Sequence, residues 1–143
     1  MIDRLEFYHG AAIVRLIEDP RCSSVGKRDF GYSVNGDRFV LVKYTKKAHS
    51  PWRFSISLAD IERLDAFSKT SAACLLALVC GGDGVCAVSW NAARTLIGSE
   101  TGWLSAKRLH NESYAVSGPL GDLPKKVALN QWPAIVFETG EIP

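Results

Sequence analysis

The chain has 143 residues, 47% of them hydrophobic and 22% charged, with a formal net charge of +2. That length suits one domain that buries roughly 68–70% of its unfolded surface, and the composition excludes a disordered chain. The small net charge excludes a strong positive field around the whole molecule, so any anion site must be local.

Residues 5–18, LEFYHGAAIVRLIE, carry apolar side chains at 5, 12, 13, 16 and 17, the three-and-four spacing of one helix face. Pro20 lies just beyond, where helices commonly stop. The amino terminus carries acids and lacks a signal-type apolar core. The longest apolar run, AACLLALVC, is too short to cross a bilayer, so a cytoplasmic protein without membrane contact is expected.

In RDFGYSVNGDRFVLVKYT the pair Asn35–Gly36 stands between two β-rich runs. Both central positions of a tight hairpin turn need positive φ, which makes Asn-Gly a strong hairpin signal, with strands at about 28–34 and 37–45. The second strand is apolar on both faces and so belongs in the middle of a sheet. After the loop KKAHSP, the run WRFSIS reads as a third strand. Ser57 followed by Asp60 resembles a capping box that opens the helix LADIERLDAF.

The run ACLLALVCGGDGVCAVSW reads as two strands joined by a glycine-rich turn that holds Asp83. Asn91 is expected to cap the short helix AARTLI, and Gly98 to end it. A hairpin around His110–Asn111, a proline-containing turn and an apolar tail segment complete the chain. The four cysteines (22, 74, 80 and 86) match no zinc spacing, and Cys74, Cys80 and Cys86 sit among apolar residues as small core side chains. The fold class is α/β (α+β): a single domain over residues 1–143, with a mixed central β-sheet flanked by helices in the order α-β-β-β-α-β-β-α-β-β.

The sequence has no phosphate-binding G-x-x-x-x-G-K-S/T loop, no G-x-G-x-x-G, no G-x-S-x-G elbow and no His-Glu-x-x-His pair. Its one concentrated signal is basic. Five cations (Arg38, Lys43, Lys46, Lys47 and Arg53) lie between Asp37 and Asp60 with no carboxylate among them. Lys43 ends an apolar strand face shared with Phe39 and Leu41, either surfacing at the strand end or pointing into a cleft. Lys46, Lys47, Trp52 and Arg53 supply cations beside an aromatic ring, the ingredients for gripping a phosphate backbone while a base stacks. Trp52 is also the residue type that usually anchors a core or a loop.

A leading helix, a hairpin, a lysine near a strand end, a W-x-F-x-I strand and a helix resemble the core of the PD-(D/E)xK nuclease superfamily, the restriction-endonuclease-like fold. The resemblance spans about residues 5–80. It implies Lys43 as the lysine that orients the attacking water, Asp37 or Asp29 as the hairpin aspartate, and Glu6 or Glu18 as the helical glutamate, with Mg²⁺ as cofactor. Leu41 stands two before Lys43, where the family has a carboxylate, and leucine cannot ligate Mg²⁺.

Three functions follow as expectations. The leading one is a nucleic-acid-binding or regulatory module for DNA or RNA that grips phosphates through Lys43, Lys46, Lys47 and Arg53. The second is a Mg²⁺-dependent nuclease with catalytic Lys43, Asp37 and Asp29 and metal ligands Asp37, Asp29 and Glu18. The third is a protein–protein module, homodimer included, that uses the basic hairpin or the apolar WPAIVF segment. The pairs Lys107–Arg108 and Lys125–Lys126 extend the same surface only if the fold places them there.

Overall fold

The computed structural model describes residues 1–138. The chain runs α1 (Arg4–Glu18), β1 (Val25–Arg28), β2 (Gly31–Val34), β3 (Arg38–Thr45), β4 (Trp52–Ile56), α2 (Leu58–Thr70) and β5 (Ala73–Cys80). It continues with β6 (Gly84–Ser89), α3 (Trp90–Arg94), β7 (Gly102–Lys107), β8 (Ala115–Gly118), β9 (Gly121–Asp122) and α4 (Gln131–Phe137). This is a mixed α+β fold; the expected elements occur in order, but the first strand is split in two and β9 and α4 are added.

The central sheet is five-stranded, ordered β1-β2-β3-β5-β6. It is mixed: β3 and β5 run parallel from Arg38↔Ala73 to Thr45↔Cys80, and the other pairs are antiparallel. Asn35 and Gly36 both take positive φ (55° and 79°) in the β2–β3 turn, and the Asn35 carboxamide accepts the Ser23 N–H at 2.7 Å.

The strand expected at 52–57 does not join this sheet. It opens a second one, β4-β7-β8-β9. The reason lies in its pattern: Trp52, Phe54 and Ile56 are buried while Arg53 and Ser55 are exposed. A strand with one polar face fits a sheet that is wet on one side, whereas β3 and β5 are covered on both faces.

Three layers result. Val40, Val42, Leu75 and Ala77 pack against Ala12, Leu16, Trp132 and Val136 of α1 and α4. Phe39, Leu41, Leu76 and Leu78, on the other sheet face, pack with Trp52, Phe54, Ile56, Ile61, Leu64 and Leu104 of the second sheet and α2. A fully buried side chain such as Leu76 or Leu78 contributes about 1.5–3 kcal/mol relative to exposure. The apolar tail is helical, and Trp132 donates its indole N–H to the Ala12 carbonyl at 3.1 Å. WPAIVF is therefore largely core, and its Trp132, Val136 and Phe137 are not free to contact a partner.

Two local expectations are corrected and a third is borne out. The strand expected at 28–34 is two strands, broken by a turn at Asp29–Phe30, which places Gly31 (φ 104°) against the Val40 carbonyl, where no Cβ fits. Ser89, not Asn91, caps α3, because its hydroxyl reaches the Ala92 N–H at 3.2 Å while Asn91 already lies inside the helix. The expected hairpin around His110–Asn111 is the β7–β8 pair, with Asn111 at φ 63°.

Candidate nucleic-acid interface

Strand alternation points Phe39, Leu41 and Lys43 toward α2 and the second sheet. Lys43 donates from Nζ to Asp60 Oδ2 at 2.7 Å. Asp60 is also the third helical residue of α2. Its carboxylate accepts the Ser57 N–H at 3.0 Å, and its own N–H donates to Ser57 Oγ at 3.1 Å, which closes the capping box foreseen from sequence. Burial pushes the Asp60 carboxyl up, but the bonds from Lys43 and Ser57 outweigh it and hold the group below its ordinary range. Lys43 is therefore committed to a carboxylate that sequence reasoning used only as a cap.

The carboxylates expected to hold Mg²⁺ lie on separate elements. Asp37 precedes β3 and binds Arg38 at 2.7 Å. It sits six residues from Lys43, about 20 Å along an extended strand. Asp29 is exposed in the β1–β2 turn, and Glu18 ends α1 on the opposite face of the sheet. Glu6 caps the other end of α1, accepting the Asp3 N–H. Among the described residues no group of three or more His, Cys, Asp or Glu side chains is arranged to hold a metal ion.

Trp52 is 3% exposed, its indole N–H donates to the Lys47 carbonyl at 2.9 Å, and its ring meets the edge of Tyr114. It anchors the loop and offers no face to a base, which corrects its place among the nucleic-acid-binding candidates. Two further contacts hold the loop. Gly81 (φ 54°) donates its N–H to the Thr45 carbonyl at 2.9 Å and packs so closely that a Cβ would collide with the Lys47 carbonyl. Ser50 Oγ accepts the Arg108 N–H at 3.1 Å.

Arg108 is itself turned inward. Its guanidinium binds Asp83 through two bonds (2.9 and 2.6 Å), and the Tyr114 hydroxyl donates to Asp83 at 2.7 Å. The bond from Arg108 leads the causes that hold the Asp83 carboxyl below its ordinary range, while burial and the Asp83 contact push the Tyr114 hydroxyl up. Asp83 is the turn residue expected, and it also locks the β5–β6 turn to the second sheet.

The outer face of the second sheet is partly open to solvent. Leu104, Ala106 and Val116 point inward, so Trp103, Ser105, Lys107 and Ser117 share the outer face with Arg53 and Ser55. Arg53 pairs with Ser105 and Ser55 with Trp103, so Arg53 and Trp103 are diagonal neighbours. The Arg53 guanidinium lies 4.3 Å from the Trp103 ring centroid. Because Trp52 pairs with Ala106 and the Arg108 N–H reaches Ser50 Oγ, Lys107 emerges beside the Ser50–Pro51 end of the 46–51 loop. Among the described residues none of Lys46, Lys47, Arg53 and Lys107 forms an ion pair; Lys47 Nζ donates to the Pro51 carbonyl at 3.0 Å.

The outer sheet face thus carries Arg53, Trp103 and Lys107, with Lys46 and Lys47 in the loop that leads into β4, while Lys43 and Trp52 are turned inward. The missed residues have a readable signal: in GWLSAK the two-residue alternation puts 103, 105 and 107 opposite Leu104 and Ala106. A cavity of about 550 Å³ lies elsewhere, between the β1–β2 turn and α2, and is lined by Lys27, Arg28, Asp29, Phe30, Arg63 and Phe67. No protein-family model, curated protein or solved structure matches the chain.

Proposed function

We propose that this protein is a nucleic-acid-binding module that takes single strands on the outer face of the four-stranded sheet. Lys46, Lys47, Lys107 and Arg53 hold phosphates, and the Arg53–Trp103 pair receives a base. The observation that carries this reading is the guanidinium held 4.3 Å over an indole on a solvent-facing sheet, beside lysines without carboxylate partners among the described residues. Bases stack on aromatic rings and guanidinium planes whatever their sequence, and cations on the rim supply the salt-dependent part of the affinity.

The test is fluorescence anisotropy of labelled single- and double-stranded DNA and RNA at low and moderate salt, with and without Mg²⁺. Binding to single strands is expected, with a log–log salt slope that shrinks by about 0.7 for each phosphate-contacting lysine removed in a Lys46→Ala/Lys47→Ala variant. Trp103→Ala should weaken binding by about 1–3 kcal/mol through lost stacking. Lys43→Ala should leave the slope unchanged, as should Arg28→Ala/Arg63→Ala in the separate cavity. Absence of binding at low salt overturns the proposal, and strand cleavage that requires Mg²⁺ would favour the nuclease instead.

A further inference from the structure

Helix α1 is apolar on two sides. Ala12 and Leu16 are fully buried against the central sheet, yet Phe7 (66%), Val14 (54%) and Ile17 (58%) are exposed. At 3.6 residues per turn, Phe7, Gly10, Val14 and Ile17 form one strip roughly opposite Ala12 and Leu16. Their spacing of three, four and three is the seam of a helix pair. Nothing lies within 4 Å of where a Cβ on Gly10 would stand, so a second backbone can approach there.

The charges beside the strip identify what covers it. Arg4 is the first residue of α1 and Glu18 the last, and both fall along the same edge of the seam. A cation at a helix N-terminus and an anion at its C-terminus both oppose the macrodipole, so this placement is unfavourable for the helix alone. Laid antiparallel against a second α1, the strip pairs Phe7 with Ile17 and Gly10 with Val14, twice each by symmetry. The same alignment sets Arg4 beside Glu18 of the other copy and beside the negative end of its helix.

We infer that the protein forms a two-fold symmetric dimer through antiparallel packing of α1, with Phe7, Gly10, Val14 and Ile17 at the seam and reciprocal Arg4–Glu18 pairs at its ends. The contact is isologous, so it closes at two copies and leaves no open surface for further growth. One 15-residue helix, about 22 Å long, gives an interface toward the small end of specific contacts, so the dimer is expected to dissociate on dilution through micromolar concentrations. It lies across the central sheet from the proposed nucleic-acid face and does not depend on that function.

The experiment is sedimentation equilibrium of the full chain over a dilution series, with circular dichroism to verify folding of each variant. The wild type should move from dimer to monomer on dilution, and Val14→Glu, an exposed change, should raise the dissociation constant by roughly tenfold or more, since it buries a carboxylate without a partner against Gly10 of each opposite copy. Arg4→Glu should weaken the dimer by roughly threefold to tenfold, and Arg4→Glu/Glu18→Arg should restore it to near the wild-type value. A wild type that stays monomeric overturns the inference. So does a dimer that Val14→Glu leaves intact, or a charge swap that fails to restore association.

Discussion

Lys43 and Asp60, seventeen positions apart, meet at 2.7 Å where the end of β3 passes the first turn of α2. One carboxylate there neutralises a lysine at the end of an apolar strand and closes a helix cap. Asp60→Ala removes both functions and should cost about 2 kcal/mol in chemical denaturation. Lys43→Ala should cost less, because the Ser57 bonds to Asp60 survive. The Asp60 carboxyl is held below its unfolded value, near 3.9. Its stabilisation is therefore complete above that pH and lost as pH falls through the lower folded value. Asp60→Asn should flatten that part of the acid limb, and an unchanged limb would show that other carboxylates carry it.

The Asp83 cluster provides a second test. Tyr114 is fully buried, and Tyr114→Phe removes one hydrogen bond while leaving the Arg108 fork in place, a loss of about 1–1.5 kcal/mol. Asp83→Ala should be the more damaging change, because it strands both the guanidinium and the phenol. Arg108→Lys should not match the wild type, since an ammonium cannot make the two parallel bonds. Thermal unfolding of the three variants gives the ranking, and a larger loss for Tyr114→Phe than for Asp83→Ala would contradict it.

The four cysteines are free thiols with different access. Burial pushes Cys74 and Cys80 up to about 12 and raises Cys86 well above the ordinary thiol value, so all three stay protonated near neutral pH. Under native conditions a thiol-specific reagent should label Cys22 first. The buried Cys80 and Cys86 should follow only at the rate of opening or in denaturant, with half-buried Cys74 between. Fast labelling of Cys80 or Cys86 in the folded protein would be inconsistent with their burial.

Gly81 ties the 46–51 loop to the β5–β6 turn. Gly81→Ala places a methyl against the Lys47 carbonyl in a left-handed backbone conformation, and should destabilise by about 2 kcal/mol or more. Gly82, with open space around it, is the control: Gly82→Ala should be mild. Denaturant midpoints of the two variants decide the matter, and equal midpoints would sink the assignment.

Local signals in the chain were legible where the chemistry is local. Asn35–Gly36 marked its turn and Ser57–Asp60 its cap, and the doubly apolar Phe39–Val42 run marked the sheet centre. The failures involve choices made by distant residues. Nothing near Lys43 signals that Asp60 will fold back onto it. Trp52 drew attention because lysines precede it, but β4 alternation buries it and leaves Arg53 outside to meet Trp103, fifty positions on. Asn91 lost its capping role to Ser89 because β6 runs directly into α3, which moved the helix start back. The outer apolar strip of α1 was hidden within a pattern that already accounted for the inner one.

The 46–51 loop, fastened by Trp52, Gly81 and Ser50, has a consequence for thermodynamics. Most exposed loops rich in lysine lose backbone freedom when a ligand orders them, which subtracts from affinity. Here the backbone is fixed when the protein folds, so in the proposed complex that entropy would already be spent before a strand binds. Only the lysine side chains remain to be ordered. A binding isotherm measured by calorimetry should then show a small heat-capacity change, characteristic of docking onto a formed surface and not of folding coupled to binding.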